Sequence, residues 1–325
     1  MNLENCIRRK GRELGFDLVG ITTAEPLEPV YADYHRHWLE AGCAAKMGYL
    51  HRNNDKRFAP ARLLRGAQSV ICVALNYRPR NNELHAGSTP AVSRYGLYDD
   101  YHTFIKSRLF DLAAFVRSAS GEASLGFKVC TDAIPLAERA LARRAGLGFI
   151  GRNHALIHPK LGGMLFLGEL LTTLPLAPDA PLDEQDYCGE CGQCIAACPT
   201  GALGADGLFD ARKCLSYLTI EEPGQIDECF GETIGGCLFG CDACLAACPY
   251  ENDAPSRANV DMVFHPERIR LSAREVLGWT QADFEALFKG SVLERLGLDR
   301  LKRNARLCLS KNKGNKGANS SAVSE

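Results

Sequence analysis

The run "CGECGQCIAACPTGA" places four cysteines, Cys188, Cys191, Cys194 and Cys198, in one short stretch and follows the last with Pro199. Two-residue gaps let three thiolates of one loop converge on three irons of a cubane cluster, while the fourth cysteine is carried away to ligate a different cluster. Such a run needs a partner. Cys241-x2-Cys244-x3-Cys248-Pro249 repeats its tail, and both halves end in "AACP". By exchange, Cys188, Cys191, Cys194 and Cys248 form one quartet, and Cys198 joins Cys241 and Cys244 in a second. A strict repeat would put the missing ligand of the second at position 238, which is Leu238. Cys214, Cys229 and Cys237 are the candidates, and spacing alone does not choose among them. A zinc site would use paired spacing without the trailing proline.

Ten of the chain's 15 cysteines lie from Cys188 to Cys248. A disulfide scaffold would not leave the rest of 325 residues almost bare, so the clustering points to a metal module inside a larger protein. The hydrophobic content of 46% supplies a core for two or three domains. A net charge of -1 excludes a uniformly basic nucleic-acid binder and leaves room for a local basic patch. The Arg8-Arg9-Lys10 run is followed by residues too polar for an export signal. "GGMLFLGELLTTL" contains Glu169 and is too short to span a membrane. A cytoplasmic location is expected.

Before about Pro175, strand-like and helix-like patterns alternate. "FDLVGIT" (16–22), "SVICVALNY" (69–77), "FKVCTD" (127–132) and "MLFLGELLTT" (164–173) read as buried strands. "YHTFIKSRLFDLAAFVRSA" carries Phe104, Leu109, Leu112, Phe115 and Val116 near one helical face, and "PLAERALARRAG" reads as a helix from Pro135 to Gly146. The expected class is α+β with α/β character. Three parts are expected: 1–175, the cysteine module at 176–255, and a basic helical segment at 256–325 ending in a disordered tail.

"GLGFIG" (146–151) matches a dinucleotide-binding pattern but follows a helix instead of a strand, so a glycine-rich helix end is the expected role. Asp132 ends a strand, where a partly buried carboxyl would serve as a general acid; a helix cap is the competing role. His35, His37 and His102 read as surface or packing residues.

Taken together, "KRFAP" (56–60), "DYH" (100–102), "TDAIPLAERALARRAGLGFIGRN", "LFLGELLTT", the cysteine run, "KCLSYLTIE" (213–221) and "FGCDACLAACP" resemble the epoxyqueuosine reductase family from about residue 10 to about residue 310. The resemblance implies a nitroreductase-like cobalamin-binding domain, a ferredoxin-like module with two [4Fe-4S] clusters, and a short helical C-terminal segment. It makes Cys214 the last ligand of the second cluster and Asp132 the proton donor. It places Arg57, Ser93, Leu156, Leu167, Ser216, Cys241 and Asp242, with Asp132, around the corrinoid. A D-x-H-x-x-G signature is absent, because Ile105 follows "DYH" where glycine would stand; no protein histidine is expected on cobalt.

The implied reaction is two-electron removal of the epoxide oxygen of epoxyqueuosine at the tRNA wobble position, with electrons from an external low-potential donor of the flavodoxin or ferredoxin type. Arg295, Arg300, Lys302 and Arg303, followed by Arg306, Lys311, Lys313 and Lys316, form a candidate phosphate-binding strip. Family members that continue into HEAT-like repeats do so after "LKRNARLCL", so the resemblance carries no contacts of those repeats onto this sequence. A monomer is expected. The competing readings are a corrinoid iron-sulfur reductive dehalogenase, which typically carries an export signal, and a ferredoxin-like electron carrier, which would leave the large first part without a purpose.

Overall fold

The computed structural model describes residues 2–80, 82–84, 91–183 and 185–310; Lys311, Lys313, Lys316 and the tail expected to be disordered lie outside them. Four of the apolar runs become β1 (Leu18–Thr23), β2 (Ser69–Asn76), β3 (Phe127–Cys130) and β6 (Leu165–Thr172). They form one sheet in the order β1-β2-β6-β3, and every neighbouring pair is antiparallel. The alternating pattern therefore produces an α+β sheet, and the ligand crevice typical of parallel sheets does not explain the site. All eight residues of β2 are buried, which requires cover on both faces. A short hairpin, β4 (Phe149–Ile150) and β5 (Leu156–Ile157), stands apart from the sheet.

Helix α1 (Leu3–Glu13) and the long α3 (Tyr101–Ser120) pack on one face of the sheet; α2 (Pro29–Glu40) begins with proline at its first turn. In α3 the Asp100 carboxylate accepts the His102 N–H at 2.9 Å, and Gly121 closes the helix at φ +71°. Its inward stripe is Ile105, Leu109, Leu112 and Val116; Phe104 and Phe115 sit at the edge of the core. Gly168 of β6 lets α3 approach, since a Cβ there would lie 2.6 Å from the Ile105 side chain. On the opposite face, α4 (Glu138–Arg144) covers Val70, Cys72, Ala74 and Leu171. This helix is shorter than its sequence pattern predicts. Residues 133–137 form turns in which the Ala137 N–H donates to the Arg57 carbonyl at 3.0 Å.

The short helices of the cysteine module include α5 (Gln193–Ala196), α6 (Leu215–Ile220) and α7 (Ala243–Ala246). After it come α8 (Ala273–Gly278), α9 (Gln281–Phe288) and α10 (Leu298–Ser310). These last helices share the main core: Val276, Phe284, Phe288, Leu301 and Ala305 join the cluster that holds Ile71, Ile105 and Leu109. Burying each of the larger of these side chains contributes about 1.5–3 kcal/mol. A further cluster joins Trp38 and Cys43 to Leu215, Tyr217, Leu218 and Leu307, tying the segment after α2 to the cysteine module. Among the described residues no helix is long and apolar enough to cross a membrane.

Candidate active site and cluster module

A cavity of about 1640 Å³ opens between α2, the 47–58 segment, the 132–139 segment, β6, and Phe209 and Glu221 of the cysteine module. Ordinary small-molecule sites occupy about 300–1,000 Å³, so this one accommodates a large cofactor or two ligands together. Leu165, Phe166 and Leu167 give it an apolar wall; Arg57, Asp132, Glu138, Arg139 and Glu221 give it charge.

Asp132 lies two residues beyond β3 with φ +52°, a conformation that a non-glycine residue adopts only when its surroundings impose it. Those surroundings are explicit. The buried Thr131 hydroxyl donates to the Leu167 carbonyl at 3.1 Å, and the Asp132 N–H donates to Glu138 Oε1 at 2.6 Å. The Asp132 side chain is 59% exposed and lines the cavity, so the partial burial expected of it is not found. Nor does it cap α4, whose N-cap is Ala137 without a side-chain bond.

His102 is buried as a packing residue would be, and its ring nitrogens also meet two carboxylates. Its ring is nearly inaccessible; Nε2 lies 3.0 Å from Asp132 Oδ2, and Nδ1 lies 2.5 Å from Asp100 Oδ1. Arg295 donates to Asp100 Oδ2 at 3.2 Å, completing a chain of four alternating charges that ends in the cavity. Burial opposes a charge on His102, but the hydrogen bonds to Asp100 and Asp132 outweigh it and raise its pKa above the ordinary histidine value. Burial likewise opposes the Asp100 charge, and its bonds to His102 hold the carboxyl below the usual range. Tyr101 stacks on both the His102 ring and Phe166. By contrast, His35 Nε2 is engaged by the Leu50 carbonyl and Asn54, and His37 is exposed. "GLGFIG" runs into the two-residue β4, with no helix for a pyrophosphate to cap.

The cysteines separate into two neighbourhoods. Burial raises the Cys248 thiol, with Cys188 and Cys194 among its charged neighbours; Cys194 in turn senses Cys188 and Cys191. Burial pushes Cys244 up to about 12, with Cys241, Cys214 and Cys198 next in effect and Cys194 last. Cys241 senses Cys214 and Cys198. Cys214 thus lies beside Cys241 and Cys244. Cys237 has Cys241 and Cys308 for thiol neighbours, and Cys229 is exposed. No three His, Cys, Asp or Glu side chains among the described residues gather tightly enough for a single metal ion. The β4–β5 hairpin touches both neighbourhoods: Arg152 donates to the Cys191 carbonyl at 3.2 Å and Asn153 to the Cys244 carbonyl at 3.3 Å.

A family model described as "Epoxyqueuosine reductase QueG, DUF1730" matches residues 57–133, and one described as "4Fe-4S double cluster binding domain" matches residues 187–251. The epoxyqueuosine reductase of Pseudomonas aeruginosa is 38% identical over 308 residues, covering 93% of this chain and 83% of that protein. The chain belongs to the epoxyqueuosine reductase family. The Leadbetterella byssophila epoxyqueuosine reductase, also 38% identical, is covered over 95% of its length. Members of this family are oxidoreductases. Among solved structures, an epoxyqueuosine reductase bound to an epoxyqueuosine-modified tRNA-Tyr stem loop superposes with a TM-score of 0.84 at 29% identity, covering 95% of this chain and 81% of that one. The Bacillus subtilis epoxyqueuosine reductase, with its catalytic aspartate loop swung out of the active site, superposes at 0.83 with 28% identity over the same shares of the two chains.

Of the residues expected around a corrinoid, Arg57, Asp132 and Leu167 line the cavity, whereas Ser93, Leu156, Ser216, Cys241 and Asp242 do not. Ser93 and Leu156 are buried; Asp242 accepts the Arg94 N–H at 2.7 Å and pairs with its guanidinium. Of the cations expected to meet phosphate, Arg303 is buried and donates to the carbonyls of Leu218, Glu222 and Gly224, which corrects its placement on an open strip. Arg300 is held by the carbonyls of Arg295, Leu296 and Ile220. Arg295 is exposed beside Asp100, and Lys302 is half-buried.

Proposed function

We propose that the protein reduces epoxyqueuosine in the tRNA anticodon to queuosine. Two electrons and two protons enter, both carbon–oxygen bonds of the epoxide break, an alkene remains and the oxygen leaves as water. The observation that carries this reading is Asp132, held at the wall of the large cavity and backed by His102, Asp100 and Arg295.

The cavity fits cobalamin on two counts. Its volume exceeds that of an ordinary ligand site, and Arg57 presents there a buried Nε with no acceptor among the described residues. Arg57 and Leu167 would hold the corrinoid, with Ser93, Leu156, Ser216, Cys241 and Asp242 behind them. When bound, cobalamin supplies the reducing equivalents for carbon–oxygen cleavage. The quartets Cys188, Cys191, Cys194, Cys248 and Cys198, Cys214, Cys241, Cys244 would hold two [4Fe-4S] clusters, which supply single-electron transfer from an external flavodoxin or ferredoxin. The sheet with its cavity is read as nitroreductase-like.

Asp132 delivers a proton to the departing oxygen, and His102 Nε2 replaces it along the 3.0 Å contact. Asp100 keeps the ring oriented and charged. Tyr34 and Tyr49, exposed at the cavity rim, offer faces on which anticodon bases stack. Arg295 and Lys302 are left to approach the tRNA backbone, and one chain contains every part of the site. The test is to load the protein with cobalamin and clusters, reduce it, and follow nucleosides from epoxyqueuosine-containing tRNA by mass spectrometry. Queuosine should accumulate; unchanged epoxyqueuosine with fully loaded, reduced protein defeats the proposal.

A further inference from the structure

Glu169 lies in the middle of β6, completely buried, with Cys72 opposite it on β2 and Cys130 opposite it on β3. No N–H or O–H among the described residues reaches either of its oxygens when both carboxyls are ionised. A fully buried carboxylate without a donor is too costly to persist. The polar group it does meet is the Glu138 carboxyl at the start of α4, and two carboxyls bond to each other only when a proton lies between them.

We propose that Glu169 and Glu138 form a proton-sharing acid pair that positions Asp132: Glu169 donates its O–H to the Glu138 carboxylate, and Glu138 Oε1 accepts the Asp132 N–H. The 2.6 Å bond to that N–H fixes a cavity-lining residue with a positive φ, while the Thr131 hydroxyl pins the preceding residue to β6. Glu138 faces the cavity and Glu169 faces the core, so the pair joins the interior of the sheet to the Asp132 loop. Both are positioning residues.

The remaining charges support this division. Burial, then the Glu138 charge, pushes Glu169 well above the carboxylate range, so it keeps its proton. Burial, then the Asp132 charge, raises Glu138 to about 7, against the Asp132 N–H, the Glu169 bond and Arg139. The flanking Cys72 and Cys130 thiols are raised by burial and stay neutral; Tyr101 senses both Asp132 and Glu138, His102, Tyr49, Tyr95 and Glu221 face Asp132, and Arg139 faces Glu138. Near neutral pH the latch therefore changes from a carboxylate acceptor to a weaker neutral one as the pH falls.

This inference rests on Asp132 as the proton donor, and two measurements keep the readings apart. In the cofactor-loaded protein without tRNA, hydrogen exchange at the Asp132 amide should accelerate at least about tenfold in Glu138→Ala. With epoxyqueuosine tRNA, kcat should show an acidic limb with an apparent pKa of about 7. That limb should vanish in Glu138→Gln, rise in pH in Glu169→Leu and return in Glu169→Gln, which restores a donor, while KM stays within about twofold. Unchanged amide exchange overturns the latch whatever the substrate. A limb identical in all three variants overturns the positioning role. Accelerated exchange in a protein that leaves epoxyqueuosine untouched supports the latch and defeats the assigned reaction.

Discussion

A carboxyl proposed to hand a proton to a departing oxygen needs a neighbour that holds the proton in readiness, and the group beside Asp132 is His102, at 3.0 Å. Asn at 132 keeps the shape and loses the acid: Asp132→Asn should retain iron and cobalamin yet lose at least about 100-fold in kcat, and normal turnover would remove the role. His102→Gln should fall by a similar factor while the Asp132 loop stays in place. The same pair leaves a mark on stability. Because Asp100 and Asp132 raise His102 above its unfolded value, the folded protein binds that proton more tightly. The contribution is whole below about pH 6.5 and is lost as the pH rises through the raised value. Melting temperatures of the parent and His102→Gln should therefore converge toward alkaline pH; a constant gap would refute the ion pairs. The position of Asp132 just past a strand was legible from the apolar run before it; its proposed proton-donor role was not, since a helix cap fits the same pattern. His102 was not, because its partner lies 30 residues away and "DYH" alone reads as a helix start.

At the scale of elements, the apolar runs were legible as strands because β1, β2 and β6 are buried along most of their length, with β3 buried at Cys130, but burial on both faces looks alike in parallel and antiparallel sheets, so the pairing was not. The C-terminal helix α10 shows a different limit. Read along the chain, its cations form one basic strip; wound at 3.6 residues per turn, Arg303 and Asn304 fall beside Leu301 and Ala305 and enter the core. Arg303 satisfies carbonyls of the 218–224 segment, and Asn304 those of Thr219 and Leu238. Arg303→Met leaves several buried acceptors unpaired and should cost roughly 2–4 kcal/mol in denaturant unfolding. Lys302→Gln should change stability by less than about 0.5 kcal/mol and lower the salt dependence of tRNA binding by about one charge. Equal stability of the two variants would show that Arg303 is no clamp.

Across the whole molecule, the clamp, the clusters and the cavity are one construction. Cys214 stands at the N-cap of helix α6, and α10 holds that helix's carbonyls; the cysteine module also sends Phe209 and Glu221 into the cavity wall beside the loop that carries Asp132. The proposed exchange between quartets comes from spacing, because Cys-x2-Cys-x2-Cys cannot close two cubanes by itself, and in the fold Cys248 faces Cys188 and Cys194. The second quartet's last ligand was open on spacing, since Cys214, Cys229 and Cys237 are all within reach along the chain, and only the folded neighbourhood puts Cys214 with Cys198, Cys241 and Cys244. Cys229 is exposed, and Cys237 shares just Cys241 with that group. Iron analysis of the reconstituted protein separates the three. The parent should hold about eight irons per chain, Cys229→Ser and Cys237→Ser should hold the same, and Cys214→Ser should fall to about four. Since the second cluster would then be missing from the electron path while the Asp132 relay is untouched, Cys214→Ser should also bind tRNA normally and fail to turn over. Full iron in Cys214→Ser, or a loss in Cys237→Ser instead, would reassign the ligand.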